Sequence, residues 1–316
     1  MKRTIRLEHR KKPYFALSGV FFSGLLMIAS KIGISAFISW FVDTVLKEAH
    51  ISEWQAMLLD MAFYLLLFVP SAVFLMVFFR MGPLEPFAEK PDVPPLPYLY
   101  IPMAIGLTYA FNMLLNLLIG DLLAPLEPVQ TPSEFPITPS GIALDFVYTA
   151  FLPAITEEWF FRGIAMRKLL PYGKGFAVVS SALLFGFMHG YPAQTLFSIF
   201  FGLIAGYTYL KTGSIWFGVL IHFVNNTISL AVSYQEIVFA DADGLSLTGL
   251  YILGTVIFAI ISLIFYYRSQ RYRKTVFSSS DPDSLSAGQS AKLIFCNPVF
   301  YLVIAGYCYL LWVQFG

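Results

Sequence analysis

Charge is scarce in this sequence. Asp, Glu, Lys and Arg together make up 12% of its 316 residues, against roughly 25% in ordinary soluble domains. Six windows contain none of the four: 61–79, 98–120, 175–210, 212–235, 244–267 and 293–316. Each reaches the ~20 residues that cross ~30 Å of hydrocarbon, and 175–210 is long enough for two crossings. A soluble globular enzyme is excluded. The net charge is only +1, which provides no basic field for a nucleic-acid partner. Cysteine is nearly absent: Cys296 and Cys308 share the last apolar segment and match no zinc or disulfide pattern. No His-Glu-x-x-His occurs, so the zinc-protease helix with two ligands on one face is missing. The apolar run after the basic N-terminus is too long for a signal-peptide core and reads as an uncleaved first span.

What is present is apolar: 58% hydrophobic residues and a mean hydropathy of +0.71. Only a helix satisfies its own backbone hydrogen bonds in lipid without closing into a barrel. The expectation is therefore an all-α, polytopic transmembrane helical bundle of eight or nine spans. Residues 1–12 form a basic cytoplasmic N-terminus, and 13–123 hold three spans (about 13–42, 55–79 and 98–123). Residues 141–235 form a core of four more (about 141–168, 175–190, 194–210 and 214–235). The C-terminal part, 245–316, adds a span at about 245–267, a polar linker at 268–292 and a ninth apolar stretch at 293–314. Pro70 is a candidate kink, and the proline-rich 80–97 reads as an extended linker. With the N-terminus inside, 18 of the 20 Lys/Arg fall in alternate, cytoplasmic regions, including four in 162–174. That obeys the positive-inside rule. Lys31, inside span one, is expected to snorkel or pair.

Against this background the stretch Ile155-Thr156-Glu157-Glu158-Trp159-Phe160-Phe161-Arg162-Gly163 is out of place. One charge at the centre of a membrane helix costs ~2.5–3.5 kcal/mol, so this cluster must face the protein interior and have partners. Glu158 and Arg162 stand four apart, in the favoured acid-first order for an ion pair on one helical face. Glu157 lies ~100° round the helix and is free to point elsewhere. Two further polar pairs fall on later spans: Phe185-x-x-x-His189 and His222-x-x-x-Asn226. Asn112 and Asn116 share a face of span three and are expected to bond a neighbouring helix. Taken singly, such residues are interhelical glue. Taken together, a carboxylate, two histidines and an amide supply a base, a polarising partner and oxyanion donors, the inventory for attack of water on a carbonyl.

The ordered trio Glu157-Glu158-x-x-x-Arg162, Phe185-x-x-x-His189 and His222-x-x-x-Asn226 resembles the signature of the CPBP family. That family comprises the type II CAAX prenyl endopeptidases and their bacterial relatives, the Abi or bacteriocin-processing proteins. The likeness covers roughly residues 140–235. It implies a glutamate-dependent intramembrane endopeptidase with no cofactor and no catalytic metal. Glu157 would be the general base that activates water, and His189 would help to hold and polarise it. His222 and Asn226 would hold the oxyanion, with Glu158 and Arg162 in structural support. Asn225 adjoins Asn226, but the family spacing selects Asn226. Expected partners are membrane lipid and a peptide or lipidated-protein substrate, CAAX-type or bacteriocin-like, in a multi-pass protein of a bacterial plasma membrane.

Three other classes compete. A zinc protease could use the same Glu and His, but lacks the motif noted above. A membrane scaffold or bacteriocin self-immunity protein could keep the fold without the chemistry, whereas the full motif set argues for retained chemistry. A transporter could use intramembrane charge as an ion path, but the sequence has no repeated halves. A single catalytic site further requires Glu157 and His189 to share one water, ~2.6–3.2 Å from each. His222 and Asn226 must then line the same water-open cavity.

Overall fold

The computed structural model describes residues 2–45, 52–87, 100–123, 125, 138–238, 247–268 and 285–315. Among these residues all regular structure is helical. Ten helices are followed here: α1 Lys2–Thr44, α2 Glu53–Phe79, α3 Tyr100–Leu123, α4 over 139–169, α5 Lys174–Phe187, α6 Pro192–Thr212, α7 Ile215–Val238, α8 Leu247–Arg268, α9 Ala287–Phe295 and α10 Pro298–Phe315. Among the described residues five helices are long and apolar enough to cross a membrane: Lys12–Thr44, Trp54–Phe79, Ile101–Leu123, Pro192–Thr212 and Ile215–Tyr234. The pair α9 and α10 makes a sixth if it counts as one span. This is a multi-pass membrane architecture, and the helices that qualify among the described residues are fewer than the eight or nine spans expected from hydropathy.

The differences have physical causes. Helix α5 has only 14 residues and stops at Phe187, short of the expected 190, because Gly190 and Pro192 follow. The ninth apolar stretch is not straight. Its two helices meet at 58°, where Asn297 accepts from the Val299 N–H at 3.0 Å and donates to Ser18 Oγ at 3.0 Å. That side chain caps the new helix while tying it to α1. Pro70 lies within α2, which runs on to Phe79. The linker after α2 is not extended in its described part. Glu85–Phe87 forms a 3-10 turn docked on α4, where Trp159 donates to the Pro83 carbonyl at 3.0 Å and Arg167 to that of Glu85 at 2.8 Å. Residues 88–97 of that linker lie outside the described residues.

Helix α4 is the centre of the bundle. It packs against α2, α5, α6 and α7, and these helices close around it. Outward faces are apolar, as lipid demands: Leu117 of α3 is 77% exposed and Val77 of α2 73%. The polar groups turn inward. Arg162, counted among the cytoplasmic charges in the orientation argument, is buried beside Glu158 and belongs to the interior instead.

Candidate active site

Helix α4 starts where the Thr138 hydroxyl accepts from the Gly141 N–H at 3.1 Å, with Pro139 in the first turn. Two of its stretches, Phe146–Phe151 and Trp159–Met166, are π-helical, and they flank the α-helical Leu152–Glu158 that carries the acids. Such insertions are frequent at functional sites. Proline accounts for one consequence. Pro153 has no N–H to give the carbonyl of Thr149 four residues earlier. That carbonyl is taken instead by the side chain of Asn226 from α7, at 3.1 Å.

The two adjacent glutamates have unlike surroundings. Glu158 is fully buried, and its Oε1 accepts from Arg162 Nη1 at 2.7 Å and from the Nδ1–H of His222 at 3.1 Å. Gly218, one turn before His222, makes this possible. A Cβ there would stand 2.7 Å from Glu158 Oε2. The rest of the Arg162 guanidinium lies over the Phe185 ring at 4.6 Å and the Phe201 ring at 6.0 Å. Desolvated cation–π contacts of this kind contribute ~2 kcal/mol. Glu158 Oε2 and Arg162 Nε and Nη2 have no hydrogen-bond partner among the described residues.

Glu157 turns to the other side of α4. Its Oε1 accepts from the hydroxyl of Tyr64, on α2, at 2.7 Å. Its Oε2 stands 3.8 Å from His222 Nε2, and among the described residues no group hydrogen-bonds it. A carboxylate therefore presents one held oxygen and one free oxygen to the interior.

His189 sits just beyond the last turn of α5. Its main-chain N–H is given to the Gly186 carbonyl at 3.0 Å and its Nδ1–H to that of Phe185 at 2.8 Å. The second bond fixes the neutral tautomer and leaves Nε2 as an acceptor. His222 is packed between Phe185 and Phe201, with ring centroids 5.9 and 4.9 Å away. With Nδ1 given to Glu158, its Nε2 is the nitrogen left toward Glu157. Asn226 Oδ1 accepts from Asn225 Nδ2 at 3.3 Å, and among the described residues its Nδ2 donates once, to Thr149, which leaves one amide hydrogen unused.

One cavity of about 730 Å³ joins these groups, within the range of ligand clefts. Glu157, His189, His222 and Asn226 all line it, whereas Glu158 and Arg162 do not. Three further amide-bearing residues that sequence reasoning gave other roles or set aside line it too: Asn112, Asn116 and Asn225. Asn112 and Asn116 are expected from their shared face to bond a neighbouring helix, but among the described residues the Asn116 side chain bonds only within α3. It donates to the Asn112 carbonyl at 3.0 Å within α3. Tyr64 was missed entirely, since a tyrosine in an apolar span has no signal of its own. Among the described residues no group of three or more His, Cys, Asp and Glu is arranged to hold a metal ion.

Residues 139–228 match the family described as type II CAAX prenyl endopeptidase, Rce1-like. The matched stretch runs from the start of α4 into α7 and contains all three motifs, so it is the family that the motifs resemble. No curated protein and no solved structure matches the chain. Tyr64, Asn112 and Asn116 line the cavity from outside the matched stretch.

Proposed function

We propose that this chain is an intramembrane endopeptidase that hydrolyses a peptide bond through a water activated by Glu157. The observation that carries the reading is the division of labour between the two glutamates. Glu158 pairs through Oε1 with Arg162 and His222 and does not line the cavity, while Glu157 lines it and keeps an Oε2 that no described residue hydrogen-bonds. Such an oxygen takes a proton from water as the resulting hydroxide attacks a carbonyl, and later returns that proton to the leaving amine. His189 Nε2 accepts the water's other hydrogen and orients it. Asn226, through its unused amide hydrogen, and the His222 ring face the developing oxyanion.

In this scheme no cofactor and no metal takes part. The substrate is a membrane-associated peptide or lipidated protein, CAAX-type or bacteriocin-like, reached from lipid. The protein resides in a bacterial plasma membrane with its N-terminus in the cytoplasm, the side to which its loop charges point. The test compares membrane-associated peptides from cells carrying the wild-type protein and the Glu157→Ala variant. Uncleaved precursors accumulating only with the variant are expected, and identical peptide sets would overturn the reading.

A further inference from the structure

We infer that Tyr64 is a positioning residue for the water-activating carboxylate, supplied by α2, 75 residues before the stretch that matches the protease family. The inference rests on the reading of Glu157 as base and adds a group to it. The Tyr64 hydroxyl donates to Glu157 Oε1 at 2.7 Å, the length of a charge-assisted O–H···O⁻ bond. It leaves Oε2, 3.8 Å from His222 Nε2, as the oxygen of Glu157 that no described residue hydrogen-bonds.

A free glutamate side chain rotates about three torsions and presents its two oxygens equally. One fixed oxygen removes that freedom and aims the other at the cavity. The donor itself is rigidly held. Its ring lies against Phe68, one turn on along α2, at 5.4 Å between centroids, and edge-on to Tyr148 of α4 at 6.2 Å. Thr156, beside Glu157, spends its hydroxyl mainly on the Leu152 carbonyl at 2.8 Å and reaches Tyr64 only at 3.4 Å. No other described residue hydrogen-bonds the Glu157 carboxylate.

Helix α2 thereby sets the aim of a base that α4 carries.

The experiment uses the full chain in lipid nanodiscs and the variant Tyr64→Phe, which keeps the packed ring and removes one oxygen. Dicyclohexylcarbodiimide, an apolar reagent that attacks protonated carboxyls, is the probe, and its adduct is located by peptide mass. Tyr64→Phe is expected to speed labelling of Glu157 about tenfold, because the oxygen held by the Tyr64 hydroxyl is released, on the scale of one hydrogen bond to a charged group. Labelling of Glu157 at the wild-type rate overturns the proposal, and this readout requires no substrate. Hydrolysis of a quenched farnesylated CAAX peptide gives the second readout. There Tyr64→Phe is expected to lower kcat ~10–100-fold with KM unchanged, up to the loss that a ~1 Å misplacement causes. A rise in KM with kcat intact also overturns it. Should Glu157→Gln still cleave while Tyr64→Phe speeds labelling, the contact stands and the base reading falls instead.

Discussion

His222 and Glu158, 64 positions apart in sequence, share a hydrogen bond of 3.1 Å at the centre of the bundle. The bond couples the cavity to the buried ion pair behind it. Glu158 orients the ring whose other nitrogen faces Glu157, and Arg162 neutralises Glu158. Function and stability should therefore separate along this line, with Glu157 on one side and Glu158 with Arg162 on the other.

Glu157→Gln keeps shape and removes the base. Hydrolysis is expected to fall by at least ~10²-fold, the lower bound of general-base contributions, while melting in detergent stays near wild type. Persistent activity in this variant, with loss in Glu158→Gln at unchanged melting, would mean that the two roles are reversed.

Arg162→Ala strands a buried carboxylate, and Glu158→Gln strands a buried guanidinium. Each is expected to cost ~3–5 kcal/mol, the usual penalty for removing one partner of a buried pair. Yield and thermal midpoint of the purified protein report it. The double variant Glu158→Gln/Arg162→Met, which leaves no unpaired charge, should recover part of the loss. A double variant no better than either single one would argue against the pair as the source.

Gly218→Ala tests the space behind the pair. Its added methyl would meet Glu158 Oε2 at 2.7 Å, so the carboxylate or α7 must move. Overpacking of this kind costs ~1–3 kcal/mol, and His222 moves with its helix. The expected result is a lowered thermal midpoint together with reduced kcat. Wild-type values of both would show that α7 yields freely.

Metal dependence separates the glutamate reading from a zinc protease. Exhaustive chelation is expected to leave hydrolysis of the farnesylated peptide unchanged. Stoichiometric zinc that leaves together with activity, and restores it on return, would reassign Glu157 and the two histidines as ligands.

The Asn226 contact to Thr149 follows from Pro153, and it supplies a further check. Pro153→Ala restores an N–H that competes for the Thr149 carbonyl. If Asn226 faces the oxyanion only while that carbonyl holds it, kcat should drop by about tenfold, a modest part of the ~10²–10³ that one oxyanion donor is worth. Asn226→Ala should lower kcat by the larger amount, and equal activity in both variants would remove Asn226 from the site.

Much of this protein was legible in its sequence, for reasons of solvent. Long uncharged windows permit only helices in lipid, so α1, α2, α3, α6 and α7 could be drawn from hydropathy alone. The Glu158–Arg162 pair was legible because helical spacing places residues four apart on one face. Glu157, His189, His222 and Asn226 were legible by their polarity in apolar spans, where an unpartnered polar group is costly. Local periodicity, however, carries no information about which face meets which helix. The break at Asn297, the docking of Glu85–Phe87 on α4, and the bonds from Tyr64 to Glu157 and from His222 to Glu158 join residues whose sequence separation encodes nothing. Only packing decided them, because a hydrogen bond between two helices is fixed by their mutual rotation and depth, and these are set by the whole bundle at once.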